Sequence, residues 1–145
     1  MSNTWKKYRI EEGLNEEELL HAKIIRDADK TDIFKVNVNR IENDNETYKK
    51  FNEQTIKREL ATPEVLEDFL QHKVIERAKI KNQIDYLILL IAFIYDYNFS
   101  KGLEIIKEHN YIERVLNILN ECNETKNQAE LIRNTAIEFL TRHTS

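Results

Sequence analysis

The sequence has few of the residues that end helices and build tight turns. Its 145 residues include only two glycines and one proline. Strands in a sheet need frequent turns, whereas long helices do not, and the helix-favouring residues Leu, Glu and Lys are abundant. The isoleucines recur at helical rather than alternating spacing. We therefore predict an all-α fold, a bundle of about six helices forming one domain over residues 1–145.

The sequence is also poor in cysteine, and it has neither a long apolar run nor an excess of positive charge. Cys122 is the single cysteine, so no intrachain disulfide can form and the predicted location is the reducing cytoplasm. The longest apolar run, Tyr86–Tyr97, is about half as long as a membrane span of roughly 20 residues, and we predict that it forms the central core helix. The 22 basic and 26 acidic residues are mixed along the chain, so we expect neither nucleic acid nor membrane as a partner.

Capping residues predict several helix boundaries. Asn15, followed by three glutamates, is typical of a helix N-terminus, and the Asn-rich and Asp-rich residues 37–47 predict a loop after this helix. Thr62 before Pro63 predicts a second N-terminus. Further helices are predicted over about 44–60, from a cap at Ser100 to residue 109, over 111–120 and over 125–142. Asp85 and Asp96, at the two ends of the core helix, are expected to cap or to meet solvent.

Residues 19–36 place a charge within an apolar helical face. Four apolar side chains fall along one arc when this segment is wound at about 100° per residue: Ala22, Ile25, Ile33 and Val36. Asp29 lies in the middle of the arc, so we expect it to be buried if the arc faces the core. A buried carboxylate needs a compensating partner, which is a metal ion, Arg26 or a basic group of another segment.

Residues 26–32, RDADKTD, resemble the last conserved motif of the HD-superfamily metal-dependent phosphohydrolases, in which a helical Ala-Asp-Lys or Ala-Asp-Arg supplies the final metal ligand. The resemblance implies that Asp29 is a metal ligand and that Asp32 supports the site or contacts the substrate. It implies that Lys30 contacts a phosphate. It also implies a divalent metal ion as cofactor and a nucleotide or another small phosphate ester as substrate.

The neighbouring residues have simpler interpretations. Asp27 projects away from Asp29 around the helix and is predicted to be a surface residue paired with Lys23 or Lys30. The position of Lys30 around the helix predicts that its own side chain points toward solvent. His21 lies two turns before Asp29, about 12 Å along the helix axis, which is too far for the two to ligate one ion. The three other histidines are expected near helix ends.

The resemblance covers only part of the family's metal site. None of the four histidines is followed by Asp, and the family's first His and its His-Asp pair would lie well before this helix. We therefore predict the C-terminal portion of an HD-type domain, inactive and without tightly bound metal unless an upstream segment or a partner chain supplies the missing ligands. Self-association is expected because missing helices leave apolar surface uncovered. The alternative is a non-catalytic helical interaction or structural module.

Overall fold

The computed structural model describes residues 13–43, 60–117, 119 and 123–144. Within these residues it contains six α-helices: α1 Glu16–Asn43, α2 Pro63–Leu70, α3 Gln83–Ile91, α4 Ser100–Glu108, α5 Tyr111–Leu116 and α6 Asn123–His143. Two 3₁₀ segments occupy Arg77–Lys79 and Ala92–Asp96, and no strand occurs in the described part. The predicted all-α bundle is confirmed. The helix predicted over about 44–60 and the predictions for Cys122 fall outside the described residues.

The first helix begins where the sequence predicts and ends later. Asn15 Oδ1 accepts a hydrogen bond from the Glu18 amide at 2.8 Å, and Glu18 Oε1 accepts from the Asn15 amide at 3.3 Å, which is a capping box. The loop predicted directly after Val36 is wrong, because α1 continues to Asn43. Asn37 does not start a turn. Its side-chain N–H₂ group donates to the Ile33 carbonyl at 2.8 Å and its Oδ1 accepts from the Tyr86 hydroxyl at 3.1 Å. Both polar ends of the side chain are therefore hydrogen-bonded while the residue remains helical.

The apolar run forms the centre of the bundle, as predicted. Helix α3 and the 3₁₀ segment after it hold a continuous set of side chains that are at most 4% exposed: Ile84, Leu87, Ile88, Leu89, Leu90, Ile91, Ala92 and Ile94. Around them α1 packs on α4 and α5, α6 packs on α2, α4 and α5, and α2 packs on α3. Among the described helices, none has both the length and the apolar character that crossing a membrane requires.

The N-terminus of α2 is capped by a side chain from another helix. Thr62 precedes Pro63 at the first helical position, as predicted, but the Thr62 side chain makes no cap hydrogen bond of its own. Instead the Thr62 amide and hydroxyl donate to the two carboxylate oxygens of Asp85, at 2.8 Å and 2.5 Å, and the Lys81 amide donates to the same carboxylate at 3.0 Å. Asp85 is fully buried, so it meets no solvent and caps α2 from α3.

The start of α4 differs from the prediction by one residue, and the turn into α5 contains a residue in the left-handed conformation. Ser100 is the first residue of α4 rather than its cap, and the N-cap residue is Phe99, which has no side-chain cap of its own. Asn110 adopts the left-handed conformation with φ of 59°, which Asn tolerates better than most residues. The next residue, Tyr111, stacks on Phe34 of α1, with ring centroids 6.3 Å apart.

We predict that Asp85→Ala lowers the free energy of unfolding by about 2–4 kcal/mol, because three donors in the core lose a charged acceptor. The measurement is urea unfolding followed by circular dichroism. Glu130→Gln, which changes an exposed carboxylate on α6, is the control and should leave the unfolding midpoint within experimental error. Equal stability of Asp85→Ala and the wild-type chain would contradict the role assigned to this carboxylate.

Candidate functional site: a buried polar cluster and the adjoining groove

Helix α1 presents a different face to the core from the one that the sequence predicts. Its buried residues are Arg26, Asp27, Lys30, Phe34, Val38 and Ile41. The apolar arc is exposed instead, with Ile25 at 48%, Ile33 at 40% and Val36 at 48%. Asp29, in the middle of that arc, is likewise exposed, so the expectation that it points inward is wrong. The three large apolar residues on the buried face, together with the charged side chains that pair with groups of the bundle, outweigh the arc in deciding which face of α1 is buried.

Asp27 is the carboxylate that this helix buries. It accepts hydrogen bonds from the Asn98 amide at 2.9 Å, the Asn98 side chain at 3.1 Å and the Phe99 amide at 2.9 Å. These donors lie at the start of α4, where backbone N–H groups have no helical partner and the helix dipole favours negative charge. Asp27 therefore caps α4 from α1. The predicted surface position of Asp27, with a pairing to Lys23 or Lys30, is wrong.

The two basic residues beside Asp27 are also buried, and both pair with Asp96. Arg26 Nη2 lies 3.6 Å and Lys30 Nζ 3.3 Å from Asp96 Oδ2, and each basic side chain is only 10% exposed. The predicted solvent-facing direction of Lys30 is therefore wrong. The resemblance assigns Lys30 to phosphate binding. In this structure its ammonium pairs with Asp96 instead and so contributes to the contact between α1 and the segment before α4.

Tyr97 links the polar cluster to the start of α4. The Thr31 hydroxyl donates to the Asp27 carbonyl at 3.0 Å, so the 2.8 Å contact between Thr31 and Tyr97 uses the tyrosine hydroxyl as donor. Burial raises the pKa of Tyr97 to about 12, so the hydroxyl that donates this bond is protonated at neutral pH. The Tyr97 ring lies over Gly102, where any β-carbon would overlap it. Glycine is thus required at 102 for this packing.

An open groove of about 650 Å³ lies between α1 and the N-terminal part of α4, next to the cluster. Its lining is largely apolar, with charged groups of both signs, and consists of Leu20, Ile24, Asp27, Ala28, Thr31, Asp32, Lys35, Phe99, Lys101, Gly102 and Ile105. Asp32, one of the residues assigned by the resemblance, lies on this groove and is exposed. Asp29 is not part of the lining. The RDADKTD segment is therefore divided among the interior, the groove and the outer surface.

The histidines do not gather around Asp29. His21 is exposed on α1, His109 directly follows α4, and His143 is the last residue of α6. His72 and His143 both contact the ring of Phe139, with centroids 5.4 Å and 4.2 Å away. Within the ranges that the structure describes, no three His, Cys, Asp or Glu side chains are placed so that they could hold a metal ion together. The assignment of Asp29 as a metal ligand stays a prediction.

The buried cluster is not evident from residues 19–36 alone. Asp27 and Lys30 fall on the same helical face as Phe34, and that face becomes strongly apolar only if the helix continues through Val38 and Ile41. A loop predicted after Val36 leaves these two residues out of the helix. A helix that continues to Asn43 includes them and makes the Asp27 face a second candidate for burial.

We predict that Asp27→Asn lowers the free energy of unfolding by about 2–3 kcal/mol, because an amide cannot accept from all three donors without turning its own N–H₂ toward one of them. Asp29→Asn, two residues away on the exposed side, should change it by no more than about 0.5 kcal/mol. Urea unfolding at low protein concentration measures both. Hydrogen exchange at the Asn98 and Phe99 amides should accelerate in Asp27→Asn alone. The reverse order of the two variants would contradict the orientation of α1.

Comparison of the chain with protein-family models, with curated proteins and with solved structures finds no match. The resemblance to the HD superfamily therefore rests on the RDADKTD segment and its surroundings. Two features of the geometry bear on function, namely the buried cluster around Asp27 and the groove beside it.

Proposed function

We propose that this chain is a non-catalytic helical interaction module, and that the groove between α1 and α4 binds an amphipathic helix of a partner protein. The observation that carries the proposal is the groove itself. Leu20 and Ile24 are each half exposed there, and Phe99 is 37% exposed on the opposite side. Large apolar side chains gathered in one concave surface are typical of binding sites rather than of ordinary protein surface.

The dimensions and charges of the groove favour a helix as its occupant. On α1 the lining extends from Leu20 to Lys35, about 22 Å or four helical turns. Both walls are helical, and the small side chain of Ala28 on the α1 wall leaves room for a third helix to approach closely. Peptide helices commonly bind by placing apolar residues of one face in such a groove. The rim carries Asp32, Lys35 and Lys101, charges of both signs that can pair with the polar flanks of a peptide.

The buried cluster supports the same function by fixing the two walls. Asp27 bonds directly to the start of α4, and Asp96 pairs with two basic residues of α1, so the wall helices are held together beneath the groove. A groove whose walls are already positioned loses less conformational entropy on binding. The lone Cys122 is compatible with the cytoplasm, which we propose as the location.

The test selects from a phage-displayed library of amphipathic helical peptides against the full chain. We expect enriched peptides whose affinity falls about tenfold or more in Ile24→Glu, because a charge then lies in the apolar floor. Ile25→Glu is the matched control, since Ile25 is equally exposed on the same helix but outside the groove, and it should leave peptide affinity unchanged. Selection of no peptide, or equal losses in both variants, would argue against this function.

A second candidate is hydrolysis of phosphate esters by an HD-type site with Asp29 as a metal ligand. Support comes from the RDADKTD resemblance and from the position of Asp32, which shares the groove with Lys35 and Lys101, two cations that could contact a phosphate. The bound divalent ion would polarise a phosphoryl oxygen and lower the pKa of a bound water. Exposed Asp29 would need its further ligands from chain outside the described residues or from a partner chain.

If this second candidate is correct, the dialysed protein should retain a near-stoichiometric divalent metal and hydrolyse a generic phosphodiester such as bis(p-nitrophenyl) phosphate. Asp29→Ala should then remove both metal and turnover, whereas Glu17→Gln, an exposed change on the same helix, should alter neither. Elemental analysis and a colorimetric assay measure the two quantities. A metal-free chain without turnover would count against this candidate and leave the interaction module in place.

A further inference from the structure

The outer side of α1 carries a second apolar surface, separate from the groove. The outer stripe, as we name it, consists of seven residues on one side of the helix: Glu18, Ala22, Ile25, Asp29, Ile33, Val36 and Arg40. Ala22 is partly buried and the other six are exposed. The residues that α1 buries against the bundle lie on a different side of the helix. The outer stripe is therefore an apolar surface that the described residues leave uncovered.

The spacing of the outer stripe keeps it nearly straight. Successive members are four, three and four residues apart from Glu18 to Asp29, and the same order repeats from Asp29 to Arg40. This 11-residue repeat corresponds to about 3.67 residues per turn, close to the 3.6 of a straight helix. The stripe thus turns by only about 20° around the helix for every 11 residues, over a length of about 33 Å. A second helix can lie along its whole length with a slight right-handed supercoil.

The outer stripe is also complementary to itself when one copy is reversed. An antiparallel pair with its two-fold axis at Asp29 places Ile25 of one copy against Ile33 of the other. It places Ala22 against Val36 in the same way. At both ends Glu18 then faces Arg40, so opposite charges meet twice. Self-complementary surfaces of this kind define the two-fold interfaces of homodimers.

We propose that the outer stripe is a homodimer interface in which two copies of α1 pack antiparallel about Asp29. The order of charges favours a second copy in the antiparallel orientation, since a parallel pair would set Glu18 against Glu18 and Arg40 against Arg40. An interface built on one helical face is at the small end of specific interfaces, so the dimer is reversible and concentration-dependent. The inference does not depend on the proposed function, because the groove lies on another side of α1.

Asp29 lies at the symmetry axis of this dimer, between the Ile25 and Ile33 pairs. The contacts that favour association are therefore the apolar pairs on either side of it and the charge pairs at the two ends.

Sedimentation velocity on a dilution series of the full chain tests the interface. Arg40→Glu should weaken dimerisation about five- to tenfold, since it turns two attractive pairs into repulsive ones. Glu18→Lys should weaken it similarly, although it also removes the capping-box acceptor of the Asn15 amide. The double variant, and an equimolar mixture of the two single variants, should restore the wild-type dissociation constant to within about twofold, because opposite charges again face each other.

Ile25→Glu should abolish the dimer, while Ile24→Glu, one residue away on the groove side, should leave it unchanged. A wild-type chain that stays monomeric up to about 1 mM would overturn the proposal, as would charge reversals that no second change rescues. Urea unfolding separates the causes of a monomeric result. If Ile25→Glu lowers the free energy of unfolding of a monomeric chain, another segment of the same chain covers the outer stripe. If Ile25→Glu leaves that free energy unchanged, the outer stripe is a surface for binding a different protein.

Discussion

The contact between the Asp27 carboxylate and the start of α4 is the interaction on which the arrangement of this bundle depends. A buried carboxylate without donors is very costly, and the first N–H groups of a helix also lose free energy when they have no acceptor. Each group satisfies the other here, because Asp27 accepts from the Asn98 and Phe99 amides. The contact orients α1 about its own axis, and the groove and the outer stripe follow from that orientation.

The same solution occurs a second time in the bundle. Asp85 of α3 accepts from the Thr62 amide and hydroxyl and so caps α2. In both places the carboxylate comes from a helix distant in sequence, and the capped helix lacks a side-chain cap from its own N-cap residue. Helix starts are thereby bonded to neighbouring helices rather than to themselves, which couples local helix formation to tertiary packing. Two buried aspartates thus contribute to the specificity of the fold.

The orientation of α1 gives the RDADKTD segment an unexpected division of roles. Arg26, Asp27 and Lys30 are buried and hold the segment before α4, whereas Asp29 and Asp32 are exposed on two neighbouring faces of the helix. Residues adjacent in a motif therefore serve the interior, the groove and the outer stripe. Among the described residues, the bundle covers one side of α1 and leaves two others for partners, and this is why α1 is central to both proposals of binding.

The sequence by itself determined the fold class, the central position of the apolar run and the starts of α1 and α2. These depend on local properties, namely turn-residue content, hydrophobicity and capping, which act over a few neighbouring residues. Only the tertiary structure decided which side of α1 is buried. The apolar arc with Ile25 and Ile33 and the face with Asp27 and Phe34 are both plausible core faces when the helix is considered alone. The choice between them was made by Asp96, Asn98 and Phe99, some 70 residues further along the chain, whose bonds and charges no local pattern in α1 encodes.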